Sequence, residues 1–110
     1  MVDLVNELNG KVAIVSGSAR NIGRATAIEL AKGGASLVIN ARKSVNLCEE
    51  VVAEIGNMGG KAIAVVADIS DANSVKKLVE KTVAKFGKVD ILINNAAVRS
   101  NIPFLEIDQT

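Results

Sequence analysis

The sequence predicts an α/β fold whose core is an open, doubly wound parallel sheet with the element order β-α-β-α-β-α-β. From Lys11 onward, short apolar runs alternate with longer amphipathic runs. The short runs are continuous and rich in Val, Ile and Leu, as is typical of strands that helices cover on both faces. In such a sheet ligands bind beyond the carboxyl ends of the strands, so a site is expected there.

Four strands are predicted at 12–15, 37–39, 62–66 and 91–93, with three helices between them. The clearest helix is 71–86, because its apolar residues recur at helical spacing opposite a lysine-rich face. Its stripe, expected to pack in the core, is Val75, Leu78, Val79, Thr82, Val83 and Phe86. The other two stripes are Leu47, Val51, Ile55 and Met58, and Ile22, Ala25, Ile28 and Ala31. The glycines expected to cap these helices are Gly33-Gly34, Gly59-Gly60 and Gly87.

The composition argues against several classes of function. Thirteen basic and 12 acidic residues give a formal charge of +1, without the basic excess expected of a protein that binds nucleic acid or an anionic membrane. The chain has no histidine and no ligand-like cluster of Cys, Asp and Glu, so we expect no metal site. No apolar run reaches the ~20 residues of a membrane span. The single cysteine, Cys48, fits a reducing cytoplasm.

The first strand is followed by a turn of small residues, Ser16 to Gly23, that leads directly into a helix. Backbone N–H groups and the positive end of the helix can face an anion there, most naturally a pyrophosphate. The alternative is an ordinary strand-to-helix turn that uses glycine for steric reasons. The turn alone does not separate these two interpretations.

The second and third strand ends add candidate ligand contacts. Arg42 follows the second strand where many dinucleotide-binding folds carry an acidic residue, and it would suit a 2′-phosphate. Asp68 follows the third strand and could accept a hydrogen bond from a nucleobase amino group. It could equally cap the next helix, a role open also to Ser70 or Asp71. Arg42 and Arg20 could also be solvated surface charges.

The fourth strand ends in Asn94-Asn95-Ala96-Ala97. This segment could be a plain turn, or its small residues could let a flat ring lie close to the backbone. Taken in order, the glycine turn, Asp68 and the paired asparagines resemble the marks of the classical short-chain dehydrogenases/reductases. Those marks are Thr-Gly-x-x-x-Gly-x-Gly, an aspartate after the third strand, and Asn-Asn-Ala-Gly after the fourth. The resemblance extends from about Gly10 to the end, and among family members it is greatest to bacterial-type 3-oxoacyl-carrier-protein reductases.

The resemblance implies a Rossmann-type fold and a set of cofactor contacts. It implies that the phosphates lie on the turn, the adenine beside Asp68 and Ile69, and the nicotinamide-side ribose near the fourth strand. The implied cofactor-binding residues are Gly17, Ser18, Ala19, Arg20, Asn21, Ile22, Gly23, Arg42, Asp68, Ile69, Asn95, Ala96 and Ala97. With Arg20 and Arg42 at the adenine ribose, we expect NADP to be preferred over NAD.

Three residues depart from the family pattern. Ser16 stands where threonine is usual and keeps the hydroxyl, and Ala97 stands where the fourth-strand motif ends in glycine. Asn21 stands where the turn has a glycine, and asparagine tolerates a positive φ better than most side chains do.

The resemblance also implies an NAD(P)H-dependent oxidoreductase that acts on small carbonyl or alcohol substrates and forms a homo-oligomer at full length. Family members are more than twice as long as these 110 residues and use a serine and a Tyr-x-x-x-Lys pair in their second half. This chain contains no tyrosine, so we assign no catalytic residue. We expect residues 1–110 to be a partial NAD(P)-binding domain that ends before the catalytic half. The alternatives are a free-standing dinucleotide-binding module and a remnant that does not fold alone.

Overall fold

A computed structural model describes residues 7–95 of the chain. Four strands and three helices alternate in the predicted order. Their bounds are β1 (Val12–Ser16), α1 (Asn21–Lys32), β2 (Ser36–Ala41), α2 (Val45–Asn57), β3 (Lys61–Val66), α3 (Ala72–Phe86) and β4 (Ile91–Asn94). Each predicted strand is present and is one to three residues longer than predicted, because pairing in the sheet extends past the apolar run.

The strands form one parallel sheet in the order β3-β2-β1-β4. β1 lies in the middle and pairs with β2 from Val12 to Val15 and with β4 from Ala13 to Ser16. The chain thus runs outward from β1 to β3 and then crosses back to place β4 on the other side of β1. The predicted doubly wound topology is confirmed, and the strand order reverses at the carboxyl end of β1.

Helices cover both faces of the sheet. On one face, a buried cluster joins the sheet to α1 and α2. It consists of the side chains of β1 and β2 that point to this face together with Ala27, Ala31, Val51 and Ile55 of the helices. On the other face, Leu78 of α3 packs in a cluster with Ile14, Val38 and Val65. Side chains in a strand alternate between faces, so the continuous apolar runs supply both clusters.

The ends of the helices agree with most of the predicted caps. Gly34, Gly59 and Gly87 adopt positive φ angles of 102°, 88° and 88°, as expected of residues that end helices in a left-handed conformation. At the start of α3, the Asp71 carboxylate accepts a hydrogen bond from the Ser74 N–H at 3.1 Å. The helix cap that the sequence left open among Asp68, Ser70 and Asp71 is therefore Asp71.

Parts of the predicted core stripes are wrong. Ile22 is 73% exposed, because the inward face of α1 is centred on Gly23, Ala27 and Ala31, and Ala25 is exposed as well. Met58 is exposed because it lies just past the end of α2. Val79 and Val83 are 38% and 44% exposed, because α3 touches the sheet along the narrower line of Leu78 and Thr82. Helical periodicity identifies an apolar stripe but not how wide a strip of it a neighbour covers.

No helix within residues 7–95 has both the length and the apolar character needed to cross a bilayer.

Asp90 connects the start of β1 with the segment that leads into β4. Its carboxylate accepts a hydrogen bond from the Val12 N–H at 2.8 Å and lies 3.1 Å from Lys88 Nζ. The hydrogen bond from Val12, helped by Lys88, lowers the pKa of Asp90 below the usual value for an aspartate. A carboxyl group with a lowered pKa in the folded state stabilises the fold above its unfolded-state pKa. That contribution is lost as the pH falls through the lowered value.

We therefore predict that Asp90→Asn lowers the free energy of unfolding at pH 7, and that the difference from the unaltered chain shrinks as the pH falls to about 3. At low pH Asp90 is protonated and uncharged, and the asparagine of the variant is uncharged at every pH. The two chains therefore become alike as the pH falls. Urea unfolding followed by circular dichroism at several pH values measures this. Glu80→Gln on the exposed side of α3 is the control, and a difference that does not change with pH would contradict the prediction.

Candidate functional site

An open pocket of about 660 Å³ lies at the carboxyl ends of the strands. It is bounded by the turn after β1, the segment between β2 and α2, and the segment between β3 and α3. Its lining residues are Gly17, Ala19, Arg20, Asn40, Ala41, Arg42, Lys43, Ser44, Leu47, Ala67, Asp68, Ile69, Ser70 and Asn94. Residues that are far apart in sequence thus meet where a doubly wound sheet binds its ligands.

The turn after β1 contains two residues with positive φ, Gly17 at 62° and Asn21 at 57°. Asn21 is the non-glycine residue with positive φ in the described part of the chain, and it occupies the position where the family turn has glycine. Asparagine is among the side chains that best tolerate this conformation. Asn21 thus adopts the positive φ that the sequence analysis expected this residue type to tolerate.

The hydrogen bonds of the turn show which of its N–H groups can reach a ligand. The Gly17 N–H donates to Asn40 Oδ1 at 3.2 Å, and the Ser18 N–H donates to the Asn40 carbonyl oxygen at 2.8 Å. Both groups therefore face β2 instead of the pocket. The donors for an anion must come from later in the turn, at the beginning of α1.

The first turn of α1 has no side-chain cap. Its N-cap residue, Arg20, is extended and its side chain makes no capping hydrogen bond, and the first turn contains no acidic residue. The first N–H groups of an α-helix lack partners within the helix and carry its positive dipole end. α2 begins in the same way, because Ser44 makes no side-chain capping bond. Since Arg20 and Ser44 both line the pocket, two uncapped helix starts border it.

Gly23 lets α1 approach the strand ends closely. A Cβ atom at this position would lie 2.2 Å from the Gly17 carbonyl oxygen and 2.7 Å from Asn95 Nδ2. Asn95 Nδ2 itself donates to the Gly17 carbonyl oxygen at 3.3 Å. Because Gly23 has no side chain, α1 can pack directly against the turn. Asn95 holds the turn from the side of β4 through its bond to Gly17.

Arg42 and Asp68 form an ion pair in the lining of the pocket. Arg42 Nε lies 3.6 Å from Asp68 Oδ2, and the two side chains are 72% and 37% exposed. Asp68 Oδ1 accepts hydrogen bonds from the Ser70 hydroxyl at 2.6 Å and the Ser70 N–H at 2.9 Å. The bonds from Ser70, assisted by the charge of Arg42, lower the pKa of Asp68. The pocket thus holds an ionised carboxylate whose position is fixed and a cation that remains largely solvated.

The predicted site residues divide into four groups. Five members of the turn and of the second and third strand ends line the pocket together with Ile69, namely Gly17, Ala19, Arg20, Arg42 and Asp68. Beneath or beside it lie Ser18, which is fully buried, Gly23 and Asn95, while Asn21 and Ile22 are exposed at the start of α1. Ala96 and Ala97 lie outside the described residues.

Other pocket residues were not singled out from the sequence. Lys43 adds a second cation next to Arg42, and its adjacency to that residue was the available signal. Asn40 is 2% exposed and lies inside an apolar strand, where a polar residue is itself a signal because its burial requires partners. Within residues 7–95, no three His, Cys, Asp or Glu side chains lie close enough to hold a metal ion.

Comparison with known proteins identifies the family. The family model for short chain dehydrogenases matches residues 11–110. The chain belongs to this family. It is 46% identical over 95 residues to a probable tetrahydroxynaphthalene reductase from Zymoseptoria tritici, covering 86% of this chain and 36% of that protein. It is 44% identical over 91 residues to a 3-oxoacyl-[acyl-carrier-protein] reductase from Synechocystis sp., covering 83% and 37%.

A solved structure shows the same relationship. A metagenomic short-chain oxidoreductase in complex with NADP superposes with a TM-score of 0.76 at 37% identity, covering 81% of this chain and 40% of that one. The resemblance inferred from the three motifs is thus confirmed, as is the Rossmann-type fold. The chain spans a little over a third of the length of the curated relatives described above.

The space at Gly23 yields a direct test of the packing beneath the turn. We predict that Gly23→Ala lowers the free energy of unfolding by about 1–3 kcal/mol, because its methyl group meets backbone atoms that cannot rotate away. Gly56→Ala is the matched control, since a Cβ there meets nothing within 4 Å and the residue lies within α2. That control should stabilise the chain by up to about 1 kcal/mol. Equal stability of Gly23→Ala and the unaltered chain in urea unfolding would contradict the prediction.

Proposed function

We propose that this chain is the cofactor-binding part of an NADP(H)-dependent short-chain oxidoreductase that transfers hydride between the nicotinamide and a small carbonyl or alcohol substrate. The observation that carries the proposal is the pocket at the strand ends, which two uncapped helix starts and Arg42 border together. That arrangement offers backbone donors and positive charge to two separate anionic groups. A dinucleotide with a pyrophosphate and a 2′-phosphate has this distribution of charge.

The start of α1 would bind the pyrophosphate of the cofactor. Asn21, Ile22 and Gly23 occupy its first turn, where N–H groups lack helical partners. Gly17 and Ala19 line the adjacent pocket wall with little or no side chain, which lets a phosphate approach the backbone. Asn95, with Ala96 and Ala97 beyond it, would border the nicotinamide-side ribose.

The start of α2 would bind the 2′-phosphate that distinguishes NADP from NAD. Arg42 Nε lies 3.6 Å from Asp68 Oδ2, but 72% of the Arg42 side chain is exposed, so its guanidinium can still reach a ligand, and Lys43 stands next to it in the pocket lining. β2 is followed by these cations and not by the carboxylate that commonly holds a ribose 2′-hydroxyl. Asp68 and Ile69 would border the adenine, with Asp68 accepting from its amino group. The NADP in the metagenomic relative is in keeping with this assignment.

The proposal assigns no acid–base residue within this sequence. The 110 residues include no tyrosine and no histidine, and no side chain in them is identified as the acid–base group that a carbonyl reduction requires. Burial, with a smaller effect of Glu49, raises the pKa of the Cys48 thiol, which disfavours the reactive thiolate. A buried free cysteine is compatible with the reducing cytoplasm that we propose as its compartment.

Cofactor choice is the sharpest test of the role of Arg42. We predict that Arg42→Asp weakens NADP binding by roughly ten- to hundredfold, because a charge-assisted hydrogen bond contributes about 1.5–3 kcal/mol, while NAD binding changes little. Calorimetric titration with both cofactors measures the ratio of affinities. Lys76→Asp on the exposed side of α3 makes the same change in net charge away from the pocket and should leave the ratio unaltered. An unaltered ratio in Arg42→Asp would remove Arg42 from the site.

We also predict that the 110-residue chain binds NADP without catalysing hydride transfer. Binding requires the strand ends, whereas proton transfer typically requires a positioned acid–base group that supplies ~10²–10⁴-fold in rate. The measurement is NADPH absorbance with a panel of ketones and 3-oxoacyl thioesters, in parallel with calorimetry. Gly17→Trp, which fills the turn, is the control for binding. Turnover that scales with the concentration of purified chain and disappears in Gly17→Trp would show that the chain is catalytic by itself.

A further inference from the structure

Asn40 is a buried polar residue in β2. It is 2% exposed and sits between Ile39 and Ala41 near the end of β2. Burying an amide group without hydrogen-bond partners costs ~2–7 kcal/mol of folding free energy, so a buried asparagine needs partners. The partners of Asn40 show which segments of the chain it connects.

The Asn40 side chain joins the turn after β1 to the end of β3. Its oxygen, Oδ1, accepts the Gly17 N–H at 3.2 Å. Its nitrogen, Nδ2, donates to the carbonyl oxygens of Val65 at 3.0 Å and Ala67 at 3.2 Å. The donor and acceptor ends of one amide are therefore both used, and they connect two walls of the pocket.

The backbone of Asn40 holds the same turn a second time. Its N–H donates to the Ser18 hydroxyl at 2.8 Å, and its carbonyl oxygen accepts the Ser18 N–H at 2.8 Å. The Ser18 hydroxyl in turn donates to the Val15 carbonyl oxygen at 2.6 Å. The β1–β2 ladder ends with the pair Val15 and Ile39, where the two strands diverge. Beyond that pair, these bonds connect the two segments in its place.

We propose that Asn40 is a positioning residue for cofactor binding, which fixes the direction of the Gly17 peptide and the spacing between the phosphate turn and the segment that carries Asp68. The inference rests on the proposed function, because the turn has to be aimed only if a ligand binds to it. By engaging the N–H groups of Gly17 and Ser18, Asn40 turns them away from the pocket. The N–H groups that remain for a ligand are then those of the first turn of α1, which lack partners within the helix and have no side-chain cap.

Asn40 also prepares the turn before a ligand arrives. Asn95 Nδ2 holds the Gly17 carbonyl oxygen while Asn40 holds the Gly17 N–H, so the residue at φ 62° is fixed from β4 and from β2. Glycine has the greatest backbone freedom of any residue, so an unheld Gly17 would lose more entropy on binding. A turn ordered in advance binds more tightly because that loss has already occurred on folding.

The test compares Asn40→Leu with two control variants of the same chain. Leucine has the same number of side-chain heavy atoms as asparagine and the same branch at Cγ, but makes none of the side-chain hydrogen bonds. Asn57→Leu makes the same chemical change at an exposed position at the end of α2, and Ile55→Val is a buried change on the opposite face from α3. ADP is the probe, titrated by calorimetry at a temperature where each variant is folded by circular dichroism.

We expect Asn40→Leu to weaken ADP binding by about tenfold or more, while both controls bind ADP as the unaltered chain does. Amide hydrogen exchange supplies the readout that a purely structural role would not move. Global destabilisation speeds the exchange of all slow amides by a similar factor, whereas loss of positioning speeds the Gly17 amide, which donates to the Asn40 side chain, beyond that factor.

If the unaltered chain binds ADP and Asn40→Leu binds it equally well, the positioning role is overturned while the proposed function stands. If the unaltered chain fails to bind ADP, the proposed function and this inference both fail. Should Asn40→Leu not fold, the side-chain amide protons of Asn40 in the unaltered chain provide the test by NMR. They should exchange much more slowly than those of Asn57 and shift on saturation with ADP, and rapid exchange without a shift would overturn the role.

Discussion

The Gly17 peptide is fixed by hydrogen bonds with Asn40 of β2 and with Asn95, which follows β4. The geometry of the candidate site depends on these bonds. β1 lies in the middle of the sheet, and at its carboxyl end its partners β2 and β4 belong to opposite halves of the winding. The chain has to leave the sheet there and begin a helix within four residues. Hydrogen bonds from Asn40 and Asn95 replace the lost ladder on either side, so the crevice opens without leaving the turn unsupported.

Small residues follow from that close packing. α1 passes so near to the Gly17 carbonyl that Gly23 has no room for a side chain, and the inward face of the helix continues with Ala27 and Ala31. The same closeness places the positive end of α1 at the pocket. Packing and electrostatics thus impose the same requirement on this turn, because the proposed anion site needs the start of the helix to lie close to the strand ends.

Two oppositely charged side chains, Asp68 and Arg42, meet in the pocket. Asp68 is held by Ser70 and faces Arg42 at 3.6 Å, a distance at which the two charges attract while the exposed guanidinium keeps donors for other groups. An exposed pair of this kind adds little to stability. In the proposed function, the Asp68 carboxylate is suited to an amino group of the ligand and the Arg42 guanidinium to a phosphate.

The sequence by itself determined the order of elements, the parallel sheet, the family and the strand ends at which the pocket lies. These depend on local patterns: continuous apolar runs, helical stripes, and a glycine turn between a strand and a helix. The tolerance of Asn21 for a positive φ is also a local property, and it was predictable from the residue type alone.

The tertiary structure decided which groups point into the pocket and which parts of the stripes are covered. Gly17 and Ser18 belong to the predicted phosphate turn, yet their N–H groups face Asn40, a partner more than twenty residues away in sequence. Val79 and Val83 have the spacing of core residues but remain partly exposed, because burial requires a neighbouring element at that place. Hydrogen-bond direction and coverage depend on contacts distant in sequence, whereas periodicity records only what one segment does with its own side chains.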